Sequence, residues 1–418
     1  MIKQKTILPV LNWAIATSFV LFQFFLQATA GLMAASWKMD FNLTSTQVGS
    51  LSAAFFITYV LMQIPVGLAY DRLGARKVLI TASMVLAAGI FLLAYSQVYW
   101  QAFVSRLLMG MGSGFGFVGM LYVTATWFSG RQFALFVGLA ETLAMMGVTL
   151  GEIGMAWVIT HYGWRLTLMI VGFMVLLITL LVALFIHDQA DYLSQEEEYQ
   201  RGSLPTILGQ VLLNQQVWIA GFYGFAMVSI INVFATLWGV SFIEHQYHPI
   251  SLHTVGSLIS MIFLGIGIGG PFLAWLVRYY EDKRRLFLGF FALATTLLLM
   301  IVVYIPHLSL WALYFLLLLL GFFSSGYIQV FAVVKDAVKV SHRGTALSTS
   351  NMILMSSALL LQPLIGKMLF LGFSYPQALS LLIIVLGVAV VLSFYLDRKK
   401  RLNNVQDYVE QNLIFQKK

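Results

Sequence analysis

Long apolar segments alternate with short polar ones along almost the entire chain. An α-helix needs about 20 mostly apolar residues to cross a bilayer. Measured with that length, the pattern predicts twelve spanning helices. They cover residues 12–36, 46–70, 78–96, 100–127, 134–160, 165–186, 217–243, 254–278, 286–305, 309–333, 344–371 and 376–396. The predicted fold class is therefore an all-α membrane protein.

The composition supports this fold class. Of the 418 residues, 60% are hydrophobic and 10% are charged, whereas soluble domains contain about 25% charged residues. A soluble protein of this length would lack the polar residues needed to cover its surface. The absence of cysteine removes disulfides, thiolate nucleophiles and cysteine-ligated metals. We therefore expect a chain whose outer surface faces lipid, with no metal site and no cofactor.

One polar break divides the apolar segments into two sets of six. It spans residues 187–216 and contains a cluster of acidic side chains. The predicted organisation has four parts, listed in chain order. They are an N-terminal six-helix bundle (1–186), a cytoplasmic linker (187–216), a C-terminal six-helix bundle (217–396) and a cytoplasmic basic tail (397–418).

The two sets resemble each other at a fixed offset. The segment RQFAL begins at Arg131, and RGTAL begins at Arg343, 212 residues later. At the same offset Gly114 corresponds to Gly326. Parallel repeats of this kind form a known transporter architecture, in which the substrate site lies between the halves. The chain is thus predicted to contain two pseudo-symmetric bundles.

Basic residues are distributed unevenly between the two sides of the membrane. With both termini in the cytoplasm, 20 of the 24 Lys and Arg residues lie on the cytoplasmic side. An excess of basic residues in cytoplasmic loops sets the orientation of membrane proteins. The net charge of +8 is thereby explained without a nucleic-acid partner. The first apolar segment is longer than the apolar region of a signal peptide, so we expect it to remain as a spanning helix.

The turn between the second and third segments reads GLAYDRLGARK, from Gly67 to Lys77. At every specified position it resembles the signature G-x-x-x-D-[RK]-x-G-x-[RK]-[RK] of the major facilitator superfamily. Glycines allow helices to approach closely, and basic residues hold a loop on the cytoplasmic side. A tight, positively charged turn without a further role is the alternative interpretation.

The resemblance extends over essentially the whole chain and implies two bundles, alternating access and a central cavity at mid-membrane. In that family the loop acts as a conformational latch, which here implies roles for Gly67, Asp71, Arg72, Gly74, Arg76 and Lys77. The chain also resembles bacterial uptake carriers of the anion:cation symporter branch and the phagosomal amino-acid and nucleoside carriers. Residues 63–67 and 361–366 carry that likeness. Drug antiporters of the family have Gly-Pro where this chain has Gly151-Glu152, which counts against drug export.

Three ionisable residues fall inside predicted spans, where such groups are costly and usually functional. Arg106 and Glu152 are predicted at a similar depth, roughly 10 Å from the outer face at ~1.5 Å per residue, so they are candidates for an ion pair. Glu141 lies eleven residues before Glu152, on the same helix face. It is the preferred candidate for proton coupling. A neutral, hydrogen-bonded side chain or a partner for Arg131 is the alternative.

Polar and aromatic residues near the middle of several spans are candidates for lining a cavity. Single residues of this kind more often serve helix packing. The polar candidates are Gln23, Gln27, Asn232, Gln329 and Asn351, and the aromatic candidates are Tyr59, Tyr223, Trp238 and Tyr327. Because Arg106 has no counterpart in the second half, where Leu318 takes its place, it favours a substrate that carries a carboxylate.

The predicted function is secondary active transport of a small polar organic solute across the bacterial inner membrane. The solute would be an amino acid, a short peptide or an organic anion, with proton-coupled symport into the cell. The alternative within the same fold is an exporter of drugs or of a lipophilic metabolite. A membrane enzyme or receptor is the third candidate, although the chain has no Walker A, H-E-x-x-H or G-x-S-x-G motif. The expected partners are the solute, protons and membrane lipid, around a monomer.

Overall fold

The described part of the chain is helical from end to end. A computed structural model describes residues 2–128, 130–187, 204–338 and 343–396. The predicted basic tail (397–418) and residues 188–203 of the predicted linker lie outside the described residues. Within the described ranges no strand occurs. Helices suit a lipid environment because they satisfy their backbone hydrogen bonds internally.

The described ranges contain fifteen α-helices. They are α1 (Ile2–Ala28), α2 (Ala30–Asp40), α3 (Ser45–Tyr95), α4 (Tyr99–Ser113), α5 (Gly116–Trp127), α6 (Gly130–Phe185), α7 (Leu204–Leu212), α8 (Gln215–Ser229), α9 (Gly239–Gln246), α10 (Leu252–Tyr279), α11 (Arg284–Tyr304), α12 (Leu310–Ser324), α13 (Gln329–Ala337), α14 (Arg343–Phe370) and α15 (Tyr375–Ser393). One π-helical segment (Ile230–Trp238) and two 3₁₀-helical segments (Glu281–Lys283 and Ser325–Ile328) accompany them.

Two of the longest helices turn back at a glycine and so provide two spans each. Helix α3 bends at Gly74 and α6 bends at Gly163, and both glycines have a φ of 77°. A side chain with a Cβ atom disfavours this left-handed region, whereas glycine enters it freely. Gly74 is the third fixed position of the loop motif, so the motif marks a real reversal of the chain. Spans 2 and 3 come from α3, and spans 5 and 6 come from α6.

The predicted twelve-helix architecture is confirmed. Eleven helical segments in the described ranges are long and apolar enough to cross a membrane, and one of these is 51 residues long. That segment, Leu135–Phe185, contains the bend at Gly163 and therefore counts twice. The second span begins at a capping box, in which the Gln47 backbone N–H donates to Thr44 Oγ1. Helix α7 lies in the predicted linker, part of which is thus folded.

Four spans are interrupted, and they occupy the same place in each half. Span 1 breaks between α1 and α2, and span 4 breaks between α4 and α5. In the second half, span 7 contains the π-helical segment Ile230–Trp238, and span 10 contains the 3₁₀-helical turn Ser325–Ile328. Interrupted helices at matching positions of two repeats are a feature of transporter binding sites. The functional site is therefore expected among spans 1, 4, 7 and 10.

Glycines allow very close approach within each half. A Cβ atom on Gly110 of span 4 would lie 1.8 Å from the carbonyl oxygen of Phe55 on span 2. In the second half, a Cβ atom on Gly321 of span 10 would lie 2.0 Å from the carbonyl oxygen of Ile262 on span 8. Heavy atoms of side chains do not approach that closely. These glycines are therefore required for each bundle to pack.

Other glycines bring the two halves together at one end. A Cβ atom on Gly49 of span 2 would lie 2.5 Å from the carbonyl oxygen of Gln362 on span 11. A Cβ atom on Gly366 of span 11 would likewise lie 2.5 Å from the carbonyl oxygen of Ser45. Spans 5 and 8 meet where Gly256 faces the carbonyl oxygen of Glu152. All these contacts, called the outer contacts below, lie toward the end that the basic-residue distribution predicts to be outside.

Candidate functional site

A narrow cavity lies between the two halves near the middle of the spans. Its wall is formed by the first, second, fourth and fifth spans of the N-terminal half and by the corresponding spans of the C-terminal half. The lining residues are Phe24, Gln27, Tyr59, Phe117, Glu141, Met145, Val228, Ile231, Asn232, Phe263, Tyr327, Phe331, Asn351, Leu354 and Met355. The cavity thus occupies the place that the two-fold repeat predicts for a substrate site.

The cavity brings together six of the residues chosen from the sequence. These are Gln27, Tyr59, Glu141, Asn232, Tyr327 and Asn351. Glu141 is half-buried, and the other carboxylate of its helix, Glu152, does not reach the cavity. Most of the remaining wall is aromatic or aliphatic. The arrangement of a mainly apolar pocket with a few convergent polar groups is typical of sites for small organic ligands.

Two hydrogen bonds join the halves across the cavity. The side-chain amide of Gln27 donates from Nε2 to Oδ1 of Asn232 at 2.9 Å. The amide of Asn351 donates from Nδ2 to Oε1 of Gln63 at 2.8 Å. Each bond links a residue of the first bundle to one of the second. Gln63 was not among the predicted site residues, although it shows the same signal, a polar side chain inside a span.

Two of the predicted residues lie behind the wall instead of in it. Gln23 is fully buried, and its Nε2 donates to the Tyr59 hydroxyl at 3.2 Å, so it positions a lining residue. Trp238 donates from Nε1 to the carbonyl oxygen of Gln362 at 2.9 Å. Gln362 in turn donates from Nε2 to the Asn232 carbonyl oxygen at 2.6 Å. Gln23 and Trp238 therefore lie outside the lining, and a role for them in binding stays a prediction.

Gln329 and Tyr223 also fall outside the lining. Gln329 is buried at the beginning of α13. Tyr223 is completely buried and its hydroxyl donates to the Leu288 carbonyl oxygen at 3.0 Å. That bond joins span 7 to span 9 within the second bundle. Both residues thus lie outside the cavity lining, and a role for them in binding stays a prediction.

Arg106 faces span 2 and not the cavity. Its guanidinium donates to the carbonyl oxygens of Leu51 at 3.4 Å and Ser52 at 3.1 Å. It also lies over the Phe55 ring, 4.9 Å from the centroid, and near the Trp37 ring. The predicted ion pair with Glu152 does not form. In the described residues the ion pairs are Arg165 with Asp40 and Arg284 with Asp336.

Glu152 is enclosed where span 5 meets span 8. The side chain is fully buried, and neither carboxylate oxygen has a hydrogen-bond partner among the described residues. Its backbone lies against Gly256 of the other half. A charged carboxylate without a partner in dry surroundings is costly. The group therefore lies at a contact between the halves and is not a partner of Arg106.

The described residues contain no group of three or more His, Cys, Asp or Glu side chains arranged to hold a metal ion.

Sequence similarity relates the chain to known proteins. The family model described as Major Facilitator Superfamily matches residues 14–247 and 239–413. The chain belongs to the major facilitator superfamily. The predicted resemblance is thereby confirmed over nearly the full length of both bundles.

Individual members of the superfamily are related more distantly. The chain is 24% identical to an uncharacterized transporter, YybO, of Bacillus subtilis over 291 residues, which cover 65% of each protein. It is 27% identical to a gallate transporter of Pseudomonas putida over 178 residues, 43% of this chain and 40% of that one. The crystal structure of the nucleoside transporter NupG matches with a TM-score of 0.72 at 14% identity, and covers 93% of this chain and 98% of NupG. The chain is thus a multi-pass member of this superfamily, and the curated relatives named here are matched over less than two thirds of their own length.

The superfamily loop motif has a contact within its own half. Arg76 donates to the carbonyl oxygen of Ala183, at the end of span 6. Lys77 is exposed, and a Cβ atom on Gly67 would meet open space. The side chains of Asp71 and Arg72 lie outside the described residues. The latch role of Gly67, Asp71, Arg72, Gly74, Arg76 and Lys77 stays a prediction.

Proposed function

We propose that this superfamily member is a proton-coupled secondary transporter that moves a small polar organic solute by alternating access. The bacterial inner membrane is the proposed location, with both termini in the cytoplasm. The observation that carries the proposal is the cavity, because polar side chains from both bundles converge there and bond across it at Gln27–Asn232 and Gln63–Asn351. A solute bound at that place would contact both halves at once.

The outer contacts support alternating access. Gly49 and Gly366 place backbone against backbone between spans 2 and 11. Gly31 does the same between spans 1 and 7, opposite the Thr236 carbonyl oxygen. Such contacts close one end tightly and join the two bundles there. Transporters of this architecture exchange access by rocking one bundle against the other around a fixed site. We propose that the structure represents the state closed at the outer end.

Glu152 is the proposed site of proton coupling. It lies where span 5 contacts span 8, so its surroundings change when the halves separate. In the closed state its carboxyl group is buried and has no hydrogen-bond partner among the described residues, so a negative charge there is costly. Separation of the spans would hydrate the group and let the proton leave. Glu141, which is half-buried in the cavity wall, is then available to the solute.

Glu152→Gln is expected to uncouple solute movement from protons. Glutamine has nearly the same shape and cannot exchange a proton, so the closed state should form without proton uptake. With protein in vesicles that contain a pH-sensitive dye, a carried solute should change the internal pH with wild type. The variant should show a solute-driven proton flux at least about tenfold smaller, since carboxylates in membranes relay protons. Solute exchange in the absence of a pH gradient should persist.

Glu244→Gln is the matched control, because Glu244 lies near the end of span 7 and outside the cavity lining. Its proton flux should equal that of wild type. An unchanged proton flux in Glu152→Gln would show that coupling lies elsewhere. Loss of flux in both variants would show that the assay reports general damage and not coupling.

Export is the second candidate function. The observation that favours it is the apolar part of the cavity, which includes four phenylalanines and the two methionines Met145 and Met355. Adaptable methionine and aromatic surfaces suit lipophilic ligands. The gallate and nucleoside transporters named above carry small polar solutes, which supports the first candidate. Flux in vesicles of known orientation, with the pH gradient imposed in either direction, separates import from export.

A further inference from the structure

Each amide group of the cavity wall donates a hydrogen bond within the protein. Gln27 donates from Nε2 to Asn232 at 2.9 Å, and Asn232 donates from Nδ2 to Ser357 at 3.3 Å. Asn351 donates from Nδ2 to Gln63 at 2.8 Å. Each lining amide thus has a protein acceptor for its nitrogen. One N–H of each of these amides is therefore used by the protein.

One hydrogen-bond acceptor of the cavity wall is left without a protein partner among the described residues. Oε1 of Gln27 is buried and has no hydrogen-bond partner among the described residues, although Gln27 itself lines the cavity. An unpartnered buried acceptor is costly, and a ligand N–H that reaches it removes the cost. Glu141 adds a carboxyl group with two acceptor oxygens to the same wall. The cavity therefore complements a solute that donates hydrogen bonds.

The charge of the cavity wall also favours one kind of solute, namely a cation. Glu141 is the one charged side chain among the described residues of the lining. Arg106 is fully buried against span 2 and donates to backbone carbonyl oxygens there. An anionic solute would thus meet a carboxyl group and no cation in the described wall. A cationic solute would meet an opposite charge in surroundings where charge pairs interact strongly.

Six aromatic rings complete the wall and come from both bundles. They belong to Phe24, Tyr59, Phe117, Phe263, Tyr327 and Phe331. Aromatic faces attract cations, and the attraction grows when water is excluded. Flat rings of a ligand also pack well against aromatic side chains. The wall thus offers one region for a positive charge and another for an aromatic group.

We infer that the cavity binds an aromatic amine, whose ammonium group faces Glu141 and Oε1 of Gln27 and whose ring packs against the aromatic wall. The matched acid, in which a carboxylate replaces the amine on the same ring, does not bind. The inference rests on the proposed function in one respect: the solute that binds in the cavity is also the solute that is transported. It replaces the expectation that Arg106 selects an organic anion.

The test is a thermal-shift titration of the detergent-purified protein with matched pairs of amines and acids. The pairs are phenethylamine with 3-phenylpropionate and tryptamine with indole-3-propionate. Because ligands that bind the folded state stabilise it, the amines should raise the melting temperature at concentrations where the acids do not. Glu141→Gln should weaken amine binding at least about tenfold, since it removes a charged partner from a buried pair.

Two variants serve as controls. Glu244→Gln changes a carboxylate outside the lining, and Arg106→Met removes the buried guanidinium while filling much of its space. Both should keep the preference for amines. The inference is overturned if an acid binds as tightly as its matched amine, if Glu141→Gln binds amines like wild type, or if neither amine binds.

The binding experiment needs no gradient and no membrane, so its outcome is separate from that of the flux assay. Amine binding without solute-driven proton flux would remove the proposed transport cycle and leave the inference intact. Proton flux driven by the acids, together with absence of amine binding, would leave the cycle intact and remove the inference.

Discussion

Gly49→Val is expected to reduce transport about 100-fold while the protein stays folded. The valine side chain cannot fit beside the Gln362 carbonyl oxygen, since even its Cβ atom would lie 2.5 Å away. Overpacking of this kind costs up to about 3 kcal/mol, and about 1.4 kcal/mol corresponds to a factor of ten. Because the clash lies between the halves, separation of the bundles relieves it. The closed state is therefore lost, and not the fold.

Flux into vesicles measures the loss of transport, and the size-exclusion profile measures whether the protein stays folded. Gly154→Val is the matched control, because Gly154 also lies on the outer half of its span and a Cβ atom there meets open space. It should transport like wild type. Normal flux in Gly49→Val would mean that closure of spans 2 and 11 is not part of the cycle.

Gly110→Val is expected to prevent folding of the N-terminal bundle. Here the Cβ atom would lie 1.8 Å from the Phe55 carbonyl oxygen and 2.5 Å from the Thr58 hydroxyl, both on span 2. Spans 2 and 4 belong to the same half, so no movement between the halves relieves the clash. The cost should exceed about 3 kcal/mol, which is a large part of the stability of most proteins.

The yield of monodisperse protein after solubilisation measures this effect. Gly138→Val on span 5 is the control, since a Cβ atom at Gly138 has no neighbour within 4 Å. The control should give the wild-type yield and Gly110→Val almost none. A well-folded, transport-active Gly110→Val protein would contradict the packing of spans 2 and 4. The contrast with Gly49→Val separates glycines needed for folding from glycines needed for movement.

The fold was largely predictable because its strongest signals are local. Segment length and apolar content locate the spans, and the motif glycine Gly74 locates the reversal between spans 2 and 3. Interruptions of spans 1, 4, 7 and 10 were not predicted, because an interruption depends on neighbouring helices as well as on sequence. The correspondence of Gly114 with Gly326 was the available signal, as both lie at interruptions.

The site was predictable only in part because depth along a helix does not determine direction around it. Arg106 and Glu152 were placed at similar depth, yet the Arg106 side chain bonds to span 2 and the Glu152 backbone lies against span 8. Polar residues such as Asn351 stand out in an apolar chain and were found. The phenylalanines of the aromatic wall were missed, since Phe117 and Phe331 are two of 33 phenylalanines and have no distinguishing sequence context.

The most direct test of alternating access is a distance measurement between spin labels across the predicted outer end. The chain has no native cysteine, so Met39→Cys and His253→Cys provide two labels without background. Both positions are exposed, one at the end of α2 and one at the beginning of α10, in different halves. We predict two distances by pulsed electron spin resonance, with the longer one enriched by Gly49→Val. A single distance that this substitution leaves unchanged would contradict movement of the halves around the cavity.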